Sequence, residues 1–591
     1  MSKVYRKITL FAILGILALA GLAMAAGQSA ASSSSSGQKI ADGTRPTGLK
    51  PVDAAQFNEI ATNRPRVGKV HLNPLGFDRV NETRARKGKP ALSSSLIRPL
   101  GQDLETAIGP GASPSASPSA SPSASPSASS RSLSPTALAA ALPEPLFAAD
   151  LPVTVDNSAL VHFPPIRDQG LLNSCASFST TYYQLSYMAA YQQDLDSTDN
   201  LDNTDKYTPK WAYTMVNGGT DGGSYILENY DLLEKHGAAT WAEFPYDADY
   251  LAWCLTPGPW LNALSVRTNP VQYVYNLDPE DEIGQIKAVL NNGYVLVFGT
   301  YVYSWQGQII MDDPATTDDD TEVGRAVGYF VDGTMGSHAM TIVGYNDAIW
   351  TDVNGNLAVD PGEKGAFKIA NSWGSEWMND GFIWLAYDAL RPVSAIPDGP
   401  SVSREQALQF GLAFVMVPRA GYSPSMVAEF TVTQAQRNQI VLSLGTSDTG
   451  VTSPTATWQP AAFQAQGGPL AFDGSATAVP ATFVLDFTDL LLESAGERTY
   501  YLVVEDGAAG DPTTVSAYKI VDLTVPTEVS ADCDPAIGVD GGRADIPVNY
   551  TYAGPAANHA PVLSSGQVQP ATGTVADPYT FFVYYTDEDG D

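Results

Sequence analysis

The stretch Gln169-Gly170-Leu171-Leu172-Asn173-Ser174-Cys175-Ala176-Ser177-Phe178 places a thiol just after a polar turn, at the start of an amphipathic segment. Two later stretches, Ser337-His338-Ala339-Met340 and Asn371-Ser372-Trp373-Gly374, supply an imidazole and an amide. These are the parts of a thiol-based acyl-transfer site. A thiol attacks acyl carbon as thiolate, and a helix N-terminus beside an imidazolium is expected to lower the Cys175 pKa by several units. His338 would hold the proton and deliver it to the leaving amine. Asn371 would fix the imidazole tautomer. Gln169 and the Cys175 backbone N–H would receive the oxyanion, and Trp373 would cover the Asn–His contact. Alone, each residue has a plainer reading, such as a core cysteine, a structural histidine or a turn-capping asparagine. The order and surroundings of all four point to catalysis.

These residues need elements to hold them. After Cys175, the residues Phe178, Tyr182, Leu185 and Met188 recur at three and four positions, one apolar face of a helix. Later runs read as strands: Tyr294–Phe298, Ala339–Val343, Ala366–Ala370 and Phe382–Leu385. Helix first and strands after predict an α+β catalytic domain over 150–418, a helical half and a β-barrel-like half with the cleft between them. From Tyr422 the runs are all β, with Gly, Ser, Pro and Asp clusters between them, and predict a β-sandwich accessory domain over 422–525. The piece 556–591 resembles the opening strands of an immunoglobulin-like repeat, truncated before it can close.

The motifs resemble those of the papain-like cysteine peptidases, whose stretches read Q-G-x-x-x-S-C-x-x-F, H-A-x-x-[IV]-V-G-Y and N-S-W-G-x-x-W-x-x-x-G-[YF]. Here they stand as Gln169 to Phe178, His338 to Tyr345 and Asn371 to Phe382. Asp221-Gly222-Gly223-Ser224 and Phe244-Pro245-Tyr246 match two further landmarks. The resemblance covers about Leu151 to Tyr387. It implies a papain-like fold and peptide-bond hydrolysis through Cys175, His338, Asn371 and Gln169, with an acyl-enzyme intermediate and no catalytic cofactor. It also implies that the stretch with Gly222 and Gly223 lies along the substrate cleft and pairs with substrate backbone, and Trp373 is expected to line the cleft as well. Ala176 stands where the family usually has Trp, and Leu172 where it commonly has Cys. The cysteine usual before the double glycine is absent, so the familiar disulfides are not expected and Cys254 lacks its partner.

The rest of the chain sets the context. Lys3, Arg6 and Lys7, the apolar run Ile8 to Leu22 and Ala23-Met24-Ala25 form a secretory signal over 1–25, predicting a secreted protein able to associate with the cell surface. A tandem Ser-Pro-Ser-Ala repeat marks 111–135 as a cleavable linker, so 26–110 reads as a basic propeptide and the chain as a zymogen. Met1 to Pro110 holds 15 Lys+Arg against 7 Asp+Glu, a balance of +8; the remainder, 17 against 57, carries −40. A basic leading part can be drawn to an acidic body. The overall −32 argues against nucleic acid as a partner; the resemblance implies protein or peptide substrates, and the β-domains are expected to dock the cell surface or matrix. With only three cysteines, stability must come from cores rather than from a disulfide scaffold.

A second constellation places oxygen side chains Asp352, Asn354, Asn356, Asp360 and Glu363 at positions 1, 3, 5, 9 and 12 of a twelve-residue loop, as in EF-hand sites. Leu357 replaces the turn glycine, and an acidic hairpin is the plainer reading. A structural calcium ion is expected there, stiffening the link from the His338 strand to Asn371. Asp312 to Asp320 lacks such spacing and reads as a solvated surface loop, as does the acidic run Asp587 to Asp591. Two rival readings use the same residues: another Cys–His acyl transferase, transglutaminase-like, or a non-catalytic adhesin with a degenerate peptidase domain. The Gln169 spacing and Asn-Ser-Trp-Gly disfavour the first; the complete four-residue site disfavours the second.

Overall fold

The computed structural model describes residues 38–41, 43–107, 148–317, 321–400, 404–491 and 496–554, and the backbone of strands Val562–Gln569 and Thr580–Thr586. The expected signal, the 111–135 linker and the terminal acidic run lie outside these residues. Among the described residues no helix is long and apolar enough to cross a membrane.

Cys175 opens a continuous helical stretch made of Cys175–Ser177, Phe178–Leu185 and Ser186–Gln193, the middle part wound with the wider i→i+5 turn. The apolar stripe predicted an amphipathic helix, but the stretch is buried all round from Ser174 to Ala190. Its polar residues are satisfied internally, which allows that burial. Thr180 Oγ1 donates to the Ala176 carbonyl at 2.9 Å, Ser177 Oγ to Asn229 Oδ1 at 2.6 Å, and Gln184 Nε2 to the Val295 carbonyl at 2.8 Å. Helices Pro209–Val216 and Ile226–His236 complete the core of the helical half.

Opposite lies a ten-stranded, mostly antiparallel sheet. Strand Ser337–Trp350 runs through its centre, between Leu296–Tyr301 and Lys364–Ala370. The first of these pairs Thr300 with His338, and the second pairs Ala370 with Thr341, so His338 and Asn371 emerge at the same sheet end.

The N-terminal region is built into this body. Gln38–Lys39 pairs with Trp305–Ile309 at one sheet edge, helix Ala54–Asn63 packs Phe57 against Tyr275, and helix Pro74–Arg86 reaches the Leu290 and Asn291 carbonyls through Arg79. Its cations meet carboxylates of the body as the charge asymmetry suggested: Lys39 with Asp332, Arg45 with Asp168, Arg64 with Asp231 and Glu234, and Arg84 and Lys89 with Asp150.

The sandwich has one sheet around strands Met426–Gln434 and Thr513–Asp522 and another around Ile440–Asp448 and Gly496–Asp506. It runs past the expected end at 525. Strand Arg543–Tyr552 pairs along the whole of Gly496–Asp506 and so belongs to the same sheet. Val562–Gln569 and Thr580–Thr586 form a separate hairpin.

Helical half and sandwich share one hydrophobic core. Trp260 meets Phe463 and Phe483 at ring distances of 5.8 and 5.2 Å, and the Trp253 N–H donates to the Phe472 carbonyl at 2.8 Å. Arg267 of the catalytic part bridges Asp486 at 2.6 Å and Asp489 at 2.7 Å, with the Arg267 and Asp486 side chains both fully buried. Removing one partner of such a pair leaves a buried charge uncompensated. Arg267→Ala should therefore cost roughly 3 kcal/mol, with urea midpoints of catalytic and sandwich signals falling together. Independent transitions would show that the junction couples nothing.

Candidate active site

Four elements converge on Cys175. His338 Nε2 lies 2.7 Å from Asn371 Oδ1. That oxygen also accepts the Ser372 N–H at 2.7 Å, so Nε2 is the protonated nitrogen and donates to it. The buried Nδ1 has no hydrogen-bond partner among the described residues and is left bare. Trp373 stacks on the imidazole at 4.7 Å and 31°, backed edge-on by Trp377, and keeps the Asn–His contact dry. The Tyr183 hydroxyl donates to the Asn371 carbonyl at 2.9 Å and ties that loop to the central helix. Cys175 Sγ accepts the Ala339 N–H at 3.4 Å.

Gln169 sits in the same cage. Its Nε2 donates to the Leu172 carbonyl at 2.7 Å, while Ser372 Oγ donates to its Oε1 at 2.5 Å. Ser372 is a positioning residue that sequence reasoning missed, although it stands inside the Asn-Ser-Trp-Gly motif. Asp221 accepts the Asn173 N–H at 2.9 Å and a bond from the Tyr213 hydroxyl, fixing the glycine pair beside the thiol.

A segment of the N-terminal region fills the cleft. Arg45 pairs with Asp168 at 3.0 Å, and its carbonyl accepts from the Tyr303 hydroxyl. The Pro46 carbonyl accepts from Trp373 Nε1 at 3.0 Å. Carbonyls of Pro46 and Thr47 each lie 3.4 Å from Gln169 Nε2, where an oxyanion would sit. Leu49 then forms a parallel bridge with Ser224: the Ser224 N–H donates to the Gly48 carbonyl, and the Lys50 N–H to the Ser224 carbonyl, both at 3.0 Å. The bridge thus falls on Ser224, the last residue of the stretch that holds the expected cleft glycines Gly222 and Gly223. Gly223 permits it, because a Cβ there would lie 1.8 Å from the Gly48 carbonyl oxygen. A Cβ on Gly299 would likewise lie 2.7 Å from buried Leu49 Cδ2.

The expected low Cys175 pKa is not found. Burial pushes the thiol up to about 12, and the backbone N–H groups around it do not offset that. Burial lowers His338 to about 4 despite the Asn371 bond. The covered site therefore favours a neutral thiol and a neutral imidazole, because burial penalises the charged form of each.

The other candidates lie apart from the cleft. Asp352 accepts the backbone N–H groups of Gly355, Asn356 and Leu357, and Leu357 takes φ 61° where a glycine is usual. Asn354 and Asn356 both donate to Asp360 Oδ2, at 2.7 and 2.6 Å. Both Glu363 oxygens are engaged by the Val353 and Asp360 N–H groups and Trp350 Nε1. Among the described residues, no group of three or more His, Cys, Asp or Glu side chains is placed to hold a metal ion. Asp313, expected in a solvated loop, is buried and paired with Lys364. Cys175, Cys254 and Cys533 are all free.

Residues 151–392 match the model of the papain family cysteine protease. This stretch is a papain-family cysteine protease domain. Among solved structures, the chain is similar to xylellain, a cysteine protease from Xylella fastidiosa, with 19% identity, 46% of this chain and 87% of that one covered, and a TM-score of 0.29. It is also similar to the bromelain protease from Ananas comosus in complex with the E64 inhibitor (15%, 45% and 99%, 0.30) and to procathepsin B S9 from Trypanosoma congolense (15%, 46% and 78%, 0.31). No curated protein sequence matches the chain.

The depressed His338 pKa has a consequence for stability. An unfolded histidine titrates near 6.5 and His338 near 4, so the unfolded chain binds the proton first. The contribution is fully present above about pH 6.5 and is lost as pH falls toward 4. Thermal melts should show His338→Gln flattening the acid limb between these values; an unchanged limb would contradict the assignment. Ser372→Ala frees the Gln169 amide to rotate and should lower kcat by about tenfold with KM little changed, and Ser372→Thr should restore part of it. Equal losses in both variants would make Ser372 merely structural.

Proposed function

We propose that the chain is a secreted cysteine endopeptidase, made as a zymogen, that cleaves peptide bonds through Cys175 and an acyl-enzyme intermediate. The observation that carries this reading is the site itself: a thiol, an imidazole with one nitrogen tied off and one bare, and an amide beside the thiol, all under Trp373. When the cleft opens, water returns, the thiol passes its proton to His338 Nδ1, and the thiolate adds to the carbonyl carbon. Gln169 Nε2 and the Cys175 N–H receive the oxyanion. His338 then protonates the leaving nitrogen, and water hydrolyses the thioester.

The leaving amine must lie on the His338–Trp373 side, and the acyl part along Ser224. A substrate therefore runs with its N-terminal part at Ser224 and its C-terminal part at Trp373. Residues 45–50 run the other way, from Trp373 to Ser224. Such a segment covers the thiol without presenting a carbonyl for productive attack, which supports reading 38–107 as an inhibitory propeptide released by cleavage in the 111–135 linker. Secretion rests on the leading charged, apolar and small-residue pattern of 1–25.

A structural calcium ion at 352–363 belongs to the same proposal. Asp352, Asn354, Asn356 and Asp360 would supply oxygens, and Glu363 would have to leave Trp350. Calcium should then raise the melting temperature and EGTA lower it; no change with either would remove the ion.

Cys175→Ala should abolish peptide hydrolysis by the cut chain, a loss of at least about 10³-fold, together with labelling by an epoxide-type thiol inhibitor. Retained hydrolysis would end the proposal. Amine incorporation into a glutamine substrate in place of hydrolysis would instead favour the transferase reading.

A further inference from the structure

The cleft does not end at Ser224. Lys50, the residue after the Leu49–Ser224 bridge, lines a groove of about 780 Å³ bounded by helix Ile226–His236 on one side and by sandwich residues 459–469 on the other. A volume of that order suits several side chains of a bound peptide. We propose that this groove is a subsite for substrate residues N-terminal to the scissile bond, formed jointly by the catalytic domain and the sandwich, and that it selects basic side chains. The inference rests on the peptidase reading above, since that reading fixes which end of a substrate reaches Ser224.

Three observations support it. First, the groove continues the backbone track: the Lys50 N–H is bonded to the Ser224 carbonyl, and Lys50 itself enters the groove. Second, the groove already attracts cations. The Lys50 ammonium stands 5.2 Å over the Tyr225 ring, and its charge acts on the Glu228 carboxylate in the same wall. Arg64, also from the N-terminal region, covers Asp231 and Glu234. Departure of that region would leave Glu228 and Asp231 in the wall without their N-terminal cations, against one wall cation, Lys235, which is itself engaged at 3.3 Å with Glu234 just outside the groove. A basic peptide would then replace Lys50 and Arg64 charge for charge.

Third, the sandwich wall is fixed rather than loosely apposed. Gly218–Gly219 and Gly467–Gly468 meet backbone to backbone: a Cβ on Gly468 would lie 2.6 Å from the Gly218 carbonyl oxygen, and one on Gly219 2.8 Å from that of Gly467. Buried Arg437 locks the contact, donating to the Gly467 and Leu251 carbonyls at 2.7 Å each. A side chain on the sandwich side of the groove, such as exposed Gln459, therefore faces the same space as Glu228 and Asp231.

The test uses the full chain after cleavage in its 111–135 linker. Two fluorogenic peptides share the residues next to the scissile bond and carry Lys-Lys or Glu-Glu further toward the N-terminus. The basic peptide should be cleaved with a higher kcat/KM, by at least about fivefold. Gln459→Arg should shrink that ratio by speeding the acidic peptide, a gain that damage to the fold cannot produce; Gln459→Glu should widen it. Anisotropy with the cut Cys175→Ala chain reads binding of the same peptides without turnover. Hydrolysis whose charge preference ignores position 459 would overturn the groove and keep the peptidase. Binding whose preference follows position 459, with no hydrolysis by the unmutated chain, would overturn the peptidase reading and keep the groove.

Discussion

The 2.7 Å contact between His338 Nε2 and Asn371 Oδ1 is the constraint on which the site depends. It uses one ring nitrogen, leaves the other bare, and sets which way a proton can move. The contact exists because two adjacent antiparallel strands end together, and it stays dry because Trp373 covers it. Ser372 links this unit to Gln169, so the residues between strand and turn orient both the imidazole and the Gln169 amide. Loss of register between Lys364–Ala370 and Ser337–Trp350 would disrupt all three roles together.

The same dryness also disarms the site. With Pro46 to Leu49 across the cleft, burial raises the thiol, lowers the imidazole and leaves both neutral. Covering the thiol is therefore an electrostatic as well as a steric obstacle to forming the thiolate. The acidic body holds the covering region through Arg45 and Arg64, in exposed or half-buried pairs that weaken with salt, and through Arg84 on the buried Asp150.

Much of the site was legible because its parts are local. Gln169 and Cys175 share one turn, Asn371 and Trp373 another, and short spacings survive folding. The helical and strand halves and the sandwich were also legible, since period and punctuation are properties of single elements. The plug at 45–50 was not: Arg45-Pro46-Thr47-Gly48-Leu49-Lys50 has no periodicity and gains meaning only against Trp373 and Ser224. The height of the Cys175 pKa was missed for the same reason, because a helix start predicts a low value and only tertiary covering reverses it. The helix after Cys175 read as amphipathic because Thr180 and Gln184 look solvated until their internal acceptors are seen. The last sandwich strand, Arg543–Tyr552, alternates weakly and carries Pro547, yet pairs along its length as an edge strand.

Cys175, His338 and Asn371 are together held neutral and covered by residues 46–49. Active-site titration at neutral pH with an epoxide-type thiol inhibitor, on the uncut chain and on the chain cut in its linker, tests it most directly. One Cys175 should be labelled per cut chain, with labelling slower by at least about 100-fold in the uncut chain. Equal labelling rates in the two forms would contradict it.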